Sequence, residues 1–147
     1  MVARGQGVAV GCASGADALV RQAAPGAVVF AVSSGQWGSG RGAFAARSAA
    51  LVRAVAASGE GAGLVGFVAG PCPAGIEPAR SWRAGSPASG SWSTLALGVG
   101  LGLPVVVFWC SSGPAQLPAW PGGAWAVAGE GVWASGWRWV PGQLGLF

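Results

Sequence analysis

Two short turns in this chain carry the residue types that hold an anion. The first, Gly11-Cys12-Ala13-Ser14-Gly15-Ala16-Asp17, lies between a β-branched run and an Ala-rich stretch. Small residues let a ligand approach the main chain there, and the free amides of a helix's first turn favour a phosphate. Read plainly, the same segment is a tight turn capped by Ser14 or Asp17. The second, Ser89-Gly90-Ser91-Trp92-Ser93-Thr94, offers hydroxyls and amides of the same kind. Between them, Trp37 precedes a Gly-rich stretch and Arg47 falls on the early turns of a helix, from which a guanidinium can grip a phosphate bidentately. The candidate ligand-binding set is therefore Gly11, Ser14, Gly15, Asp17, Trp37, Arg47, Gly90, Ser91 and Thr94, with Arg80 and Arg83 on a long loop available to cover the ligand.

Catalysis is harder to assemble from these residues. The chain has no His, so a Ser or Cys nucleophile lacks its usual base. Asp17 is the one carboxylate near the two turns, and Glu77 lies on the long loop; these are the catalytic candidates, and glycosidic cleavage by such a pair would need Glu77 to swing in. Cys12, Cys72 and Cys110 have no CxxC spacing and no His to complete a zinc site. All three end apolar runs, which allows a redox or soft-metal cluster, although free Cys is more often a small buried residue. No metal and no cofactor is expected.

The elements that must position these residues alternate in type. Runs at 8–10, 27–32, 64–69 and 104–109 read as strands, and stretches at 16–24, 43–57 and 91–102 as helices. The unbroken apolar character of 27–32 suits a strand covered on both faces. In the helix at 43–57, Phe44, Leu51 and Val55 mark one buried stripe. Residues 73–90 form a loop long enough to be functional. The βαβαβ order predicts a Rossmann-like, doubly wound parallel sheet in three layers, with ligands at the carboxyl ends of the strands. Segments 124–127, 132–134 and 137–140 add a short C-terminal β hairpin or meander. Six of the nine Trp follow residue 108. Their rings read first as closing the core or a subunit interface, and second as a stacking surface for bases.

A chain of 147 residues, about half of them apolar, is expected to be a single domain over 1–147, with its core at 8–110 and a Trp-rich extension at 111–147. Eight Arg, no Lys and four acids give a high pI without a basic run, which excludes a basic nucleic-acid arm. Lys, Asn, Tyr and His are all absent, a bias expected of GC-rich coding. The best membrane candidate, 95–110, is about 16 residues and interrupted by Gly98, Gly100, Gly102 and Pro104, too short for the roughly 20 residues a bilayer needs. With no signal peptide in view, a reducing cytoplasm is the expected location.

The segments VAVGCASGADALVRQAA, GQWGSGRGAFAARSAALVRAVA and SGSWSTLALGVGLGLPVVVF, in that order, resemble the SLOG superfamily of Smf/DprA and LOG proteins over about residues 8–109. The stretch around Trp37 and Arg47 is most similar to its small DUF2493, or YspA-like, branch. The chain departs from that branch in having Arg47-Ser48 for the usual Arg-Asn. It also has Leu97 where the LOG phosphoribohydrolases carry a glutamate three residues after the Thr. A further βα unit with a Gly-Ser-Arg-type loop commonly opens these proteins, and seven residues before the first strand leave no room for it. The resemblance implies binding of a nucleotide or nucleotide-derived ligand, in a sensor or sequestering module, and association as a homo-dimer. It leaves two alternatives open: a nucleotide N-glycosidase or phosphoribohydrolase, and DprA-like binding of single-stranded DNA.

Overall fold

The computed structural model describes residues 7–11, 15–38, 40–82 and 90–142. Ser14, with Cys12 beside it, and Arg83 lie outside the described residues. The elements run β1 (Ala9–Gly11), α1 (Ala16–Ala23), β2 (Val28–Phe30), α2 (Arg41–Ala57), β3 (Leu64–Val68), α3 (Gly90–Gly100), β4 (Val105–Trp109), β5 (Gly123–Val127) and β6 (Gly136–Pro141). α1 and α2 fall on Ala-rich stretches and the longer strands on β-branched and aromatic runs, as side-chain freedom at the β-carbon dictates. The result is a mixed α/β fold.

The sheet differs from the single parallel sheet expected of the sequence. β1 and β2 pair in parallel as a two-stranded unit, while β3, β4, β6 and β5 form a separate four-stranded sheet in that order. Only β3 and β4 are parallel within it; β6 runs antiparallel to both β4 and β5. The C-terminal hairpin therefore extends the main sheet instead of sitting apart from it. β6 can lie close beside β4 because it begins at Gly136, over which the Phe108 ring packs; a β-carbon there would fall 3.0 Å from that ring. The middle of the expected meander is a 3₁₀ turn, Gly131–Ser135.

α3 covers one face of the main sheet by unusually close approach. A β-carbon on Gly66 of β3 would lie 2.8 Å from the Leu95 methyls, and one on Gly98 of α3 would meet the Leu64 side chain. On the other side of the helix, Gly100 is pressed against the backbone of Ala79, so the 70–82 segment crosses its end. The core between them holds Val52, Leu64, Val68, Leu97, Val105 and Val107. Four Trp complete it: Trp120 meets Trp92, Trp125 and Trp139 at ring separations of 5.6–5.9 Å. The indole N–H groups of Trp92, Trp120 and Trp125 donate to the carbonyls of Gly70, Ile76 and Pro118 at 2.8–2.9 Å. Three of the six late Trp, Trp120, Trp125 and Trp139, thus close the core, and the N–H groups of Trp120 and Trp125 have carbonyl partners.

Two burial expectations fail for physical reasons. In α2 the buried positions are Ala43, Arg47, Ser48, Ala49 and Val52, while Phe44 is 52% exposed. Ala is small enough to serve either face, so the helix packs by its least bulky side against β1, β2 and α3. β2 was expected to be covered on both faces, yet Val28 and Val29 are exposed. Among the described residues this three-residue strand pairs with β1 alone, which leaves Val28 and Val29 uncovered.

Candidate functional site

The described parts of the two candidate turns, Gly15 to Asp17 and Gly90 to Thr94, open helices α1 and α3. α1 is entered at Gly15, whose φ of 79° suits glycine and which as N-cap residue has no side chain to offer the first-turn amides. The first-turn amides of such a helix have no partner within it and attract negative charge. Gly15 is exposed, with open space where a β-carbon would stand. Asp17 lies in that first turn, where a carboxylate complements the helix dipole.

Arg47 reaches this turn from α2. Its side chain is only 9% exposed, and its Nη1 stands 3.6 Å from Oδ2 of Asp17, which keeps 34% exposure. The Nε of Arg47 is buried and has no hydrogen-bond partner. A buried guanidinium is costly unless all its donors are used, so this one is incompletely satisfied as it stands. The structure brings Asp17 and Arg47 together, a pairing the sequence did not disclose because the two residues are thirty positions apart on separate helices.

The second turn opens α3. Gly90 and Ser91 are exposed. The Thr94 hydroxyl donates to the Gly90 carbonyl at 2.6 Å, so its proton is engaged inside the helix and its oxygen is left to accept. Trp92 is buried, and its bond to Gly70 ties the start of α3 to the carboxyl end of β3. The Gly90–Thr94 turn therefore sits at the carboxyl rim of the main sheet, and Gly15 follows the carboxyl end of β1 in the smaller one. The two turns belong to different sheets, bridged by α2, which packs on β1, β2 and α3.

Trp37 follows a 3₁₀ turn, Val32–Ser34, and stacks on Phe30 at 5.9 Å, which holds it against the end of β2. Gly11 ends β1. Glu77 is exposed and lines a shallow recess of about 20 Å³ with Ser81, Trp82 and Ser93. That volume admits little more than one water, far from the roughly 300–1,000 Å³ of a small-molecule pocket. Asp17 does not line it, so the two candidate acids serve different features. Arg80 is exposed.

One donor escaped sequence reasoning. Trp109, the last residue of β4, has a buried Nε1 with no hydrogen-bond partner. Its only signal in the sequence is its position at the carboxyl end of an apolar strand. Of the cysteines, Cys72 and Cys110 are free thiols. The Cys72 Sγ approaches the Pro73 and Ile76 carbonyls at 3.6 and 3.8 Å. Burial pushes this thiol's pKa up, an effect partly offset by the nearby Trp120 indole. Among the described residues no three metal-ligating side chains cluster, and no helix is long and apolar enough to cross a membrane. Comparison with protein-family models, with curated proteins and with solved structures finds no match to this chain.

Proposed function

We propose that this chain is a SLOG-type, Rossmann-like cytoplasmic module that binds a nucleotide or nucleotide-derived ligand by its phosphate, as a sensor or sequestering protein. The observation that carries the reading is the Arg47 guanidinium, buried beside a helix start whose N-cap residue is glycine, with its Nε unpartnered. A phosphate oxygen is the acceptor that such a donor and such amides share. The loose contact with Asp17 leaves the guanidinium able to turn toward an anion. The exposed Gly90 and Ser91 at the start of α3 supply a second set of amides, and Trp37, already stacked on Phe30, lies in the segment between. In this reading the small sheet and the β3–β4 pair are the two halves of a Rossmann-like arrangement joined through α2.

Titration calorimetry with mono-, di- and cyclic nucleotides tests the proposal. Heat of binding is expected with at least one of them and is lost in Arg47→Met. Absence of heat with every nucleotide, from protein whose circular dichroism shows it folded, would overturn the reading.

A further inference from the structure

An acid inside an anion cradle needs a reason. Asp17 stands in the first turn of α1, where the helix dipole and the first-turn amides favour negative charge, and its Oδ2 is 3.6 Å from Nη1 of Arg47. Each attraction that this corner of the fold offers a bound anion is thus already offered to a carboxylate of its own chain. The contact is a single point, and at 3.6 Å it is looser than a hydrogen-bonded charge pair, which closes to about 2.7–2.9 Å. It leaves Nε of Arg47 without a partner, although that side chain is only 9% exposed. Asp17 itself keeps 34% exposure, and Arg21 stands four residues on along α1, on the same helix face. The carboxylate is therefore held weakly and has a second cation to turn to.

We infer that Asp17 is the specificity filter of this site: a resident carboxylate that an incoming anion must displace from Arg47, so that only an anion with several acceptor oxygens enters. The inference rests on the phosphate-binding reading above and adds which anions the site turns away. A carboxylate or a halide ion reaching Arg47 would exchange one single-point contact for another, and would do so beside the negative charge of Asp17. A phosphate group differs. Its oxygens can take Nη1 and the orphaned Nε together, with the first-turn amides of α1 as further donors. That several-point engagement offsets the repulsion that excludes the simpler anions.

Titration calorimetry tests the inference on wild type, Asp17→Asn, Arg47→Met and the double variant, at low salt, with inorganic phosphate and mono-, di- and cyclic nucleotides as probes. Asparagine keeps the size of the side chain and removes its charge. Asp17→Asn is expected to bind phosphate-bearing probes about tenfold tighter than wild type, the effect of removing one like charge at a partly exposed position. The double variant should lose that gain. Added acetate or chloride should weaken phosphate binding by Asp17→Asn more than by wild type, a loss of selectivity that a purely structural role for Asp17 would not produce. Asp17→Ser serves the same comparison if Asp17→Asn does not fold. Equal or weaker binding in the Asp17 variants would overturn the inference, and the nucleotide reading survives that result where wild-type heat is lost in Arg47→Met. A gain that persists in the double variant would also overturn it, since the acid would then act elsewhere. Heat from the Asp17 variants alone would support the filter and count against the nucleotide reading; no heat from any of the proteins would overturn both.

Discussion

Replacing Arg47 by methionine separates what holds the fold from what holds a ligand. Methionine preserves an unbranched, adaptable stem in the buried site and removes the guanidinium. The lost ion pair is a single contact of 3.6 Å to a carboxylate that is 34% exposed, a geometry that contributes about 0–1 kcal/mol. Against it stands the buried Nε without a partner, and an unsatisfied buried donor costs about 1–3 kcal/mol. Asp17 is left partly hydrated in the first turn of α1, so the large penalty for stranding a buried charge does not arise. The balance favours the variant by about 1 kcal/mol, or roughly 3 °C in melting midpoint for a chain of this length. Scanning calorimetry and urea unfolding read this directly. A variant that melts well below the wild type would mean that Arg47 is kept for the fold, and the argument from its unsatisfied donor would lose its basis.

Two further perturbations probe local geometry. Gly100→Ala puts a β-carbon into the Ala79 backbone and should cost about 1–3 kcal/mol. Gly42→Ala, on the open side of α2, should instead stabilise by about 0.5–1 kcal/mol, the ordinary gain for alanine in a helix, with both read by chemical denaturation. Because the chain has no Lys or Tyr, thiols dominate its alkaline titration. Burial raises the Cys72 pKa in the folded state, so its contribution to stability is complete below the unfolded-state pKa of about 8.5 and falls away as pH rises through the higher folded value. Stability measured from neutral to alkaline pH should decline above that unfolded value, with a shallower decline in Cys72→Ala; identical slopes would contradict the assignment.

What could be read from the sequence, and what could not, follows from side-chain physics. Strands at 64–68 and 105–109 and the helix at 41–57 were legible because β-branched runs and Ala-rich stretches differ sharply in what they favour. The buried face of α2 was not, since alanine fits on either side and a lone Phe44 dominates any apolar count while ending up in solvent. Register was equally silent: nothing local says that β6 would pair with β4, because that depends on Gly136 admitting the Phe108 ring from a strand far away in the chain. At the candidate site, glycine and serine are what made the two turns candidates for an anion. The Asp17–Arg47 contact and the unpartnered Trp109 indole depend on how separate elements pack, which no spacing of residues records.

The account turns on whether the start of α1 and the start of α3 hold one ligand between them. A ¹H–¹⁵N correlation spectrum recorded during titration with a nucleotide identified by calorimetry tests this at the level of single amides. The account predicts that the amides of Gly15 to Asp17 and of Gly90 to Thr94 shift together along one saturation curve. Shifts confined to one turn, or spread over residues remote from both, would contradict it.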